Sequence, residues 1–109
     1  MKNIEPSTTY KIKPPPGDHA VYFTIVGGAS PIAFFINSKE MNSFQWITAL
    51  MTAYSKQIKA GVNIQDIINE MKDTFDPSSS YFISGGIKVN SVVHHLGLII
   101  ENHIKKNTI

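Results

Sequence analysis

The stretch from Ile32 to Ala60 constrains the fold more than any other. Its first half, Ile32 to Asn37, alternates apolar residues as a strand does, with Ile32, Phe34 and Ile36 on one face. A polar corner follows at Asn37-Ser38-Lys39-Glu40. The corner launches a helix expected over Asn42 to Ala60, with Asn42 as N-cap and Gln45 completing a capping box. Phe44, Ile47, Met51, Tyr54 and Ile58 recur at helical spacing, and Trp46, Leu50 and Ala53 form a second stripe beside them. So wide an apolar surface predicts a helix buried on more than one side. The same positions read as a heptad for only about two heptads, too short for a coiled coil. Lys56 and Lys59 suit the C-terminal end of the helix dipole, and Gly61 suits the left-handed residue that stops the helix.

Before this unit, His19 to Val26 reads as a strand with Val21, Phe23 and Ile25 on one face and Ala20, Tyr22 and Thr24 on the other. Gly27-Gly28-Ala29-Ser30-Pro31 joins it to the next strand as a hairpin loop. A phosphate cradle would lead into a helix, whereas this loop leads into a strand. Residues 1–18 form an arm containing Pro14-Pro15-Pro16-Gly17, a wrapping segment or a spacer, in which Thr8 to Lys13 can add a short edge strand.

After Gly61 a second helix is signalled by Asn63 as N-cap, Asp66 at its third position, and Val62 packing on Ile67. Its apolar stripe is Ile64, Ile67, Ile68, Met71 and Phe75, and Asp76-Pro77 stops it. Tyr81 to Ser84 and Ile87 to Asn90 flank Gly85-Gly86, a two-residue hairpin signal. A last helix starts at Asn90 or Ser91, buries Val92, Val93, Leu96, Ile99, Ile100 and Ile104, and frays at Lys105-Lys106-Asn107. The order is β-β-α-α-β-β-α. It predicts an α+β, two-layer domain: an antiparallel sheet of two hairpins with helices packed on one face.

With 109 residues the chain is one domain, 19–109, preceded by the arm. At that size about 60–70% of the unfolded surface can be buried, enough for a core without staples. The absence of cysteine excludes disulfides, thiolate metal sites and thiol nucleophiles, and fits a reducing compartment. No run approaches ~18 apolar residues, and the N-terminus has no apolar signal core, so a soluble, cytoplasmic protein is expected. All ten basic residues are lysines, and they are scattered. Without arginine's planar fork, nucleic acid is not the expected main partner. Charged residues are only 17% of the chain, which leaves a neutral surface suited to an oligomer or a covering partner. Trp46, Tyr54 and the last helix can support such a homo-oligomer.

Candidate chemistry is sparse. His94 and His95 are adjacent and point about 100° apart on a helix, while His95 and His103 lie two turns apart. No pair has the His-x3-His spacing one metal ion requires, so solvated or interface histidines are expected. Asp66, Glu70 and Asp73 read as a solvated helix face, and the serines lack a nucleophile elbow. These residues describe a domain built to bind, without catalytic activity of its own. Two corners stand out as the place of binding. Asn37-Ser38-Lys39 lies where sheet meets helix, and Phe75-Asp76-Pro77 lies at the other end of the helical layer. Trp46 and Tyr81 carry polar tips on aromatic bodies. If the corners converge, they form a polar pocket mouth suited to an anion or a base edge.

Asp18-His19-Ala20-Val21-Tyr22, Phe35-Ile36-Asn37-Ser38-Lys39 with Met41, Trp46 with Ala49-Leu50, and Phe75-Asp76-Pro77 together resemble the TSCPD-type domain over residues 10–104. The likeness is to the small accessory chain of adenosylcobalamin-dependent (class II) ribonucleotide reductases. It implies a non-catalytic or nucleotide-binding element, with Asn37, Ser38, Lys39 and Asp76 at the site and Trp46 and Tyr81 beside them. The expected partner is the catalytic chain or a nucleotide, and the chain itself needs no cofactor, the cobalamin belonging to the catalytic chain. The Ser-Cys-Pro-Asp run that names the family corresponds here to Val89-Asn90-Ser91-Val92, so any role of that cysteine is absent. Ser78-Ser79-Ser80 stands where many relatives have glycine. The alternative is a free-standing, phage-encoded module that sequesters a nucleotide or blocks a host protein.

Overall fold

The computed structural model describes residues 6–14, 20–39, 45–76 and 80–108. Three strands, β1 (Ser7–Ile12), β2 (Val21–Val26) and β3 (Ala33–Ser38), form an antiparallel sheet in the order β1-β2-β3. Thr8 pairs with Ile25 and Ile25 with Phe34, so the register carries straight across the sheet. The N-terminal arm therefore contributes a full strand. Val21, Phe23 and Ile25 are fully buried, and Tyr22 on the opposite face is exposed, as the alternation dictates. Phe34 and Ile36 join the core from β3. Ile32 lies just outside the strand and is 37% exposed, so the inner face of β3 is carried by Phe34 and Ile36. Residues 15–17 of the proline stretch, His19, and the expected N-cap Asn42 with Phe44 lie outside the described residues.

Helix α1 (Gln45–Lys59) packs against β3 and buries Ile47, Met51 and Tyr54. Of the second stripe only Leu50 packs against the core, partly buried, while Trp46 is 53% exposed and Ala53 is exposed. The helix is buried on one face only, because it lies beside the sheet edge with solvent on its far side. Ser55 explains the placement. Its hydroxyl accepts the Phe34 N–H at 2.9 Å and donates to the Met51 carbonyl at 2.9 Å. An edge strand presents unpaired backbone groups, and here a helix side chain satisfies one of them.

Helix α2 (Ile64–Lys72) begins where its local signals place it. The Asn63 side chain accepts the Gln65 N–H at 2.7 Å. It ends earlier than expected, at Lys72, and Phe75 lies beyond it, 64% exposed rather than in the buried stripe. Strands β4 (Tyr81–Ile83) and β5 (Ile87–Val89) form a separate two-stranded sheet. The two expected hairpins thus belong to two sheets, and the larger sheet is completed by β1. Ile83 pairs with Ile87, leaving a three-residue connection, Ser84–Gly86, in a 3-10 turn. Gly85 and Gly86 both take positive φ, 82° and 73°, which glycine adopts without steric penalty.

Helix α3 (Val92–Asn107) does not fray at Lys105 but continues to Asn107. Asn107 donates to the His103 carbonyl at 2.8 Å and Thr108 to the Ile104 carbonyl at 2.7 Å, holding the last turn. It packs on α2 at Gly97, where an added Cβ would meet the Met71 Cβ at 3.0 Å. Lys72 and Glu101 pair across this contact at 3.2 Å. Buried residues of all three helices meet the inner sheet face in one core, from Val21, Phe23 and Ile25 to Met51, Ile68, Met71 and Leu96. The molecule is the α+β domain expected, helices on one sheet face.

Candidate binding site

The expected site residues lie on several elements. Asn37, Ser38 and Lys39 sit at the end of β3. Ser38 is buried and donates to the Ala20 carbonyl at 3.0 Å, which fastens the corner to the start of β2. Asn37 pairs with Tyr22 across the strands, and its side chain, like that of Lys39, is exposed. Trp46 stands in the first described turn of α1.

Asp76, after α2, and Tyr81, in β4, both bond to residues around the start of α3. The Asp76 backbone N–H donates to the Asn90 carbonyl at 2.8 Å. Ser91, 2% exposed, is the N-cap: it accepts the His94 N–H at 3.0 Å and donates to the Thr74 carbonyl at 2.7 Å. The Val89-Asn90-Ser91-Val92 segment thus ties α3 to the chain leaving α2. The Tyr81 hydroxyl bonds His95 Nδ1 at 2.8 Å, the rings meeting edge-on. Burial pushes the Tyr81 hydroxyl up to about 12. Burial, with the neighbouring His94, pushes His95 below its ordinary value. A tyrosine that keeps its proton and an imidazole that stays neutral match as donor and acceptor. His94 is lowered too, by burial and then by Lys72, with Asp73 opposing; its Nδ1 accepts the Asn90 N–H at 3.0 Å.

A third polar cluster was not anticipated from the sequence. His103, 2% exposed, lies between Tyr10 and the Gly27 loop. Its Nε2 donates to the Gly27 carbonyl at 2.9 Å, since a carbonyl only accepts. Its Nδ1 and the Tyr10 hydroxyl share a hydrogen bond at 2.7 Å. The expectation of solvated histidines is corrected here: His103 is buried and fully bonded. The signal was available, because His103 continues the stripe of Leu96 and Ile100. Beside it, Tyr10, Ile99, Asn102, His103 and Lys106 line a shallow cleft of about 220 Å³, with the Lys106 ammonium 5.4 Å from the Tyr10 ring centre.

Asp66, Glu70 and Asp73 are exposed, as a solvated face requires, and Glu70 accepts the Tyr54 hydroxyl at 3.1 Å. Burial and Glu70 push Tyr54 up to about 12. Among the described residues no three potential ligand side chains converge to hold a metal ion, and no helix is long and apolar enough to cross a membrane.

Fold and polar clusters together define a small α+β domain whose histidines fasten its elements to one another. The chain matches the family model of the TSCPD domain over residues 3–104 and belongs to that family. Neither the comparison with curated proteins nor that with solved structures found a match.

Proposed function

We propose that this chain is a non-catalytic accessory or nucleotide-binding domain acting with the catalytic chain of a class II ribonucleotide reductase. Family membership across residues 3–104 carries the reading. Adenosylcobalamin and the radical chemistry belong to the catalytic chain. The exposed Asn37 and Lys39, at the end of β3, are the groups best placed to meet a nucleotide or the partner. Asn37 offers an amide for a base edge, and Lys39 a charge for a phosphate. Trp46, Asp76 and Tyr81 complete the proposed set, and Ser38 positions the corner through its bond to Ala20.

The test is co-purification of the tagged chain from its native cell, with nucleotide binding followed by calorimetry. Comparable amounts of the reductase chain in the eluate support the accessory role. The paired substitution Asn37→Ala, Lys39→Ala is expected to weaken partner and nucleotide binding while thermal unfolding stays unchanged. Affinities that survive both changes remove the site. Stoichiometric binding of a nucleotide with no reductase recovered assigns the free-standing, phage-type module instead.

A further inference from the structure

Beside the Asn37 and Lys39 of the proposed site, the outward face of the β1-β2-β3 sheet carries two exposed rings and two further lysines that the accessory reading does not use. The pairings set Lys11, Tyr22 and Asn37 in one row across the strands, and Thr9, Thr24 and Phe35 in the next. All six alternate with the buried core residues, so they face away from the helices. Tyr22 is 42% exposed and Phe35 59%. The two rings occupy diagonal cross-strand positions, ~7–8 Å apart. An extended single strand spans that separation from one base to the next.

Charge on this sheet has one sign. The three strands contain no aspartate or glutamate. Strands β1 and β3 run in the same direction, both antiparallel to β2. Lys11 near the end of β1, Lys13 just after it, and Lys39 just after β3 therefore come to one end of the sheet. Their sequence neighbours Asp18 and Glu40 lie outside the described residues. The surroundings of the rings are hydroxyl and amide groups, with Thr9 and Thr24 bonded to each other at 2.8 Å. Such a surface sets two stacking rings among neutral polar groups, with lysines at one end. It suits flat aromatic ligands with a negative backbone.

We propose that this face binds single-stranded nucleic acid, with successive bases stacked on Tyr22 and Phe35 and phosphates drawn to the lysine end. Asn37 lies in the Tyr22 row, where its amide reaches a base edge. The lack of arginine bears on duplex readout, in which bidentate contacts to guanine carry specificity. Stacking on a sheet face has no such requirement, since every base presents a π-face.

Fluorescence anisotropy of a labelled short oligothymidylate at low salt tests the proposal with the full chain. Binding is expected, with at least about fivefold weakening for Phe35→Ala and for Tyr22→Ala. Lys11→Gln is expected to reduce the salt dependence by roughly one phosphate contact. Both rings are exposed, so the far-ultraviolet dichroism of the variants should match the parent. Should an alanine variant unfold, Phe35→Leu and Tyr22→Leu keep an apolar side chain on the strand but remove the ring, and the same weakening is expected. Absence of binding, equal affinity for a duplex of the same length, unchanged affinity when Tyr22→Ala and Phe35→Ala are combined, or displacement by equimolar thymidine monophosphate would each overturn it. The assay contains no reductase, so its failure leaves the accessory role untouched, and failure of co-purification leaves this proposal untouched.

Discussion

His95 shows how one side chain records its surroundings. Burial first, and the adjacent His94 second, favour the neutral imidazole, so the folded value lies below the ordinary 6.5. The unfolded chain therefore takes up a proton at higher pH than the folded chain. The stabilising contribution of neutral His95 is complete above the unfolded value and is lost as pH falls through the folded one. His94, lowered mainly by burial, acts in the same direction. The urea midpoint is expected to fall between about pH 7 and pH 5, and His95→Gln is expected to flatten that slope. A midpoint independent of pH across that range would show that both histidines titrate as exposed groups. His103 teaches a different lesson. Its place in the apolar stripe of α3 was visible in the sequence, but its partners Tyr10 and the Gly27 carbonyl lie 93 and 76 residues away. Separation of that length hides a hydrogen bond from any local pattern.

At the scale of elements, local signals were reliable where the physics is local. Asn63 caps α2 and Ser91 caps α3, each through a bond to a backbone N–H two or three residues on. Side-chain burial on α1 was not local. Trp46, Leu50 and Ala53 follow helical spacing as well as Ile47 and Met51 do, yet only the latter pair is fully covered. What lies opposite a stripe decides whether it is buried. Two substitutions examine the packing itself. Ser55→Ala orphans the buried Phe34 N–H and is expected to destabilise the protein by about 1–3 kcal/mol in urea unfolding. Gly97→Val forces a branched side chain into the α2–α3 approach, where even a Cβ has 3.0 Å to Met71. It is expected to destabilise by about 1–3 kcal/mol, and Gly97→Ala by less, because alanine gains up to ~1 kcal/mol in helix propensity.

At the scale of the whole molecule the two sheets are unequal. Strand β2 is hydrogen-bonded on both sides, and its inner face is fully buried. Strands β4 and β5 have three residues each, and Phe82 and Ile87 on them are 71% and 51% exposed. Opening a short, solvent-facing hairpin breaks few apolar contacts. Hydrogen exchange is expected to be slowest at β2 amides and far faster at β4–β5. Uniform protection in both sheets would mean that the small hairpin opens only with the whole core.

The sequence by itself determined the α+β class, the element order from Val21 to α3, the inner faces of β2 and α2, the cap of α2 and the start of α3 to within a residue. Each rests on side-chain periodicity or on a bond spanning a few residues. The family likeness was also legible, on motifs spread from Asp18 to Pro77. Tertiary structure alone decided that β1 joins β2, that the second hairpin forms its own sheet, and that α1 seals the β3 edge through Ser55. It alone tied Ser38, at the end of β3, to the Ala20 carbonyl, and Asp76 and Tyr81 to Asn90 and His95 around the start of α3. It alone set Tyr22, Phe35 and Lys11 on one open face. These are meetings of residues distant along the chain, selected by which surfaces the core covers, and spacing within a segment carries no record of them.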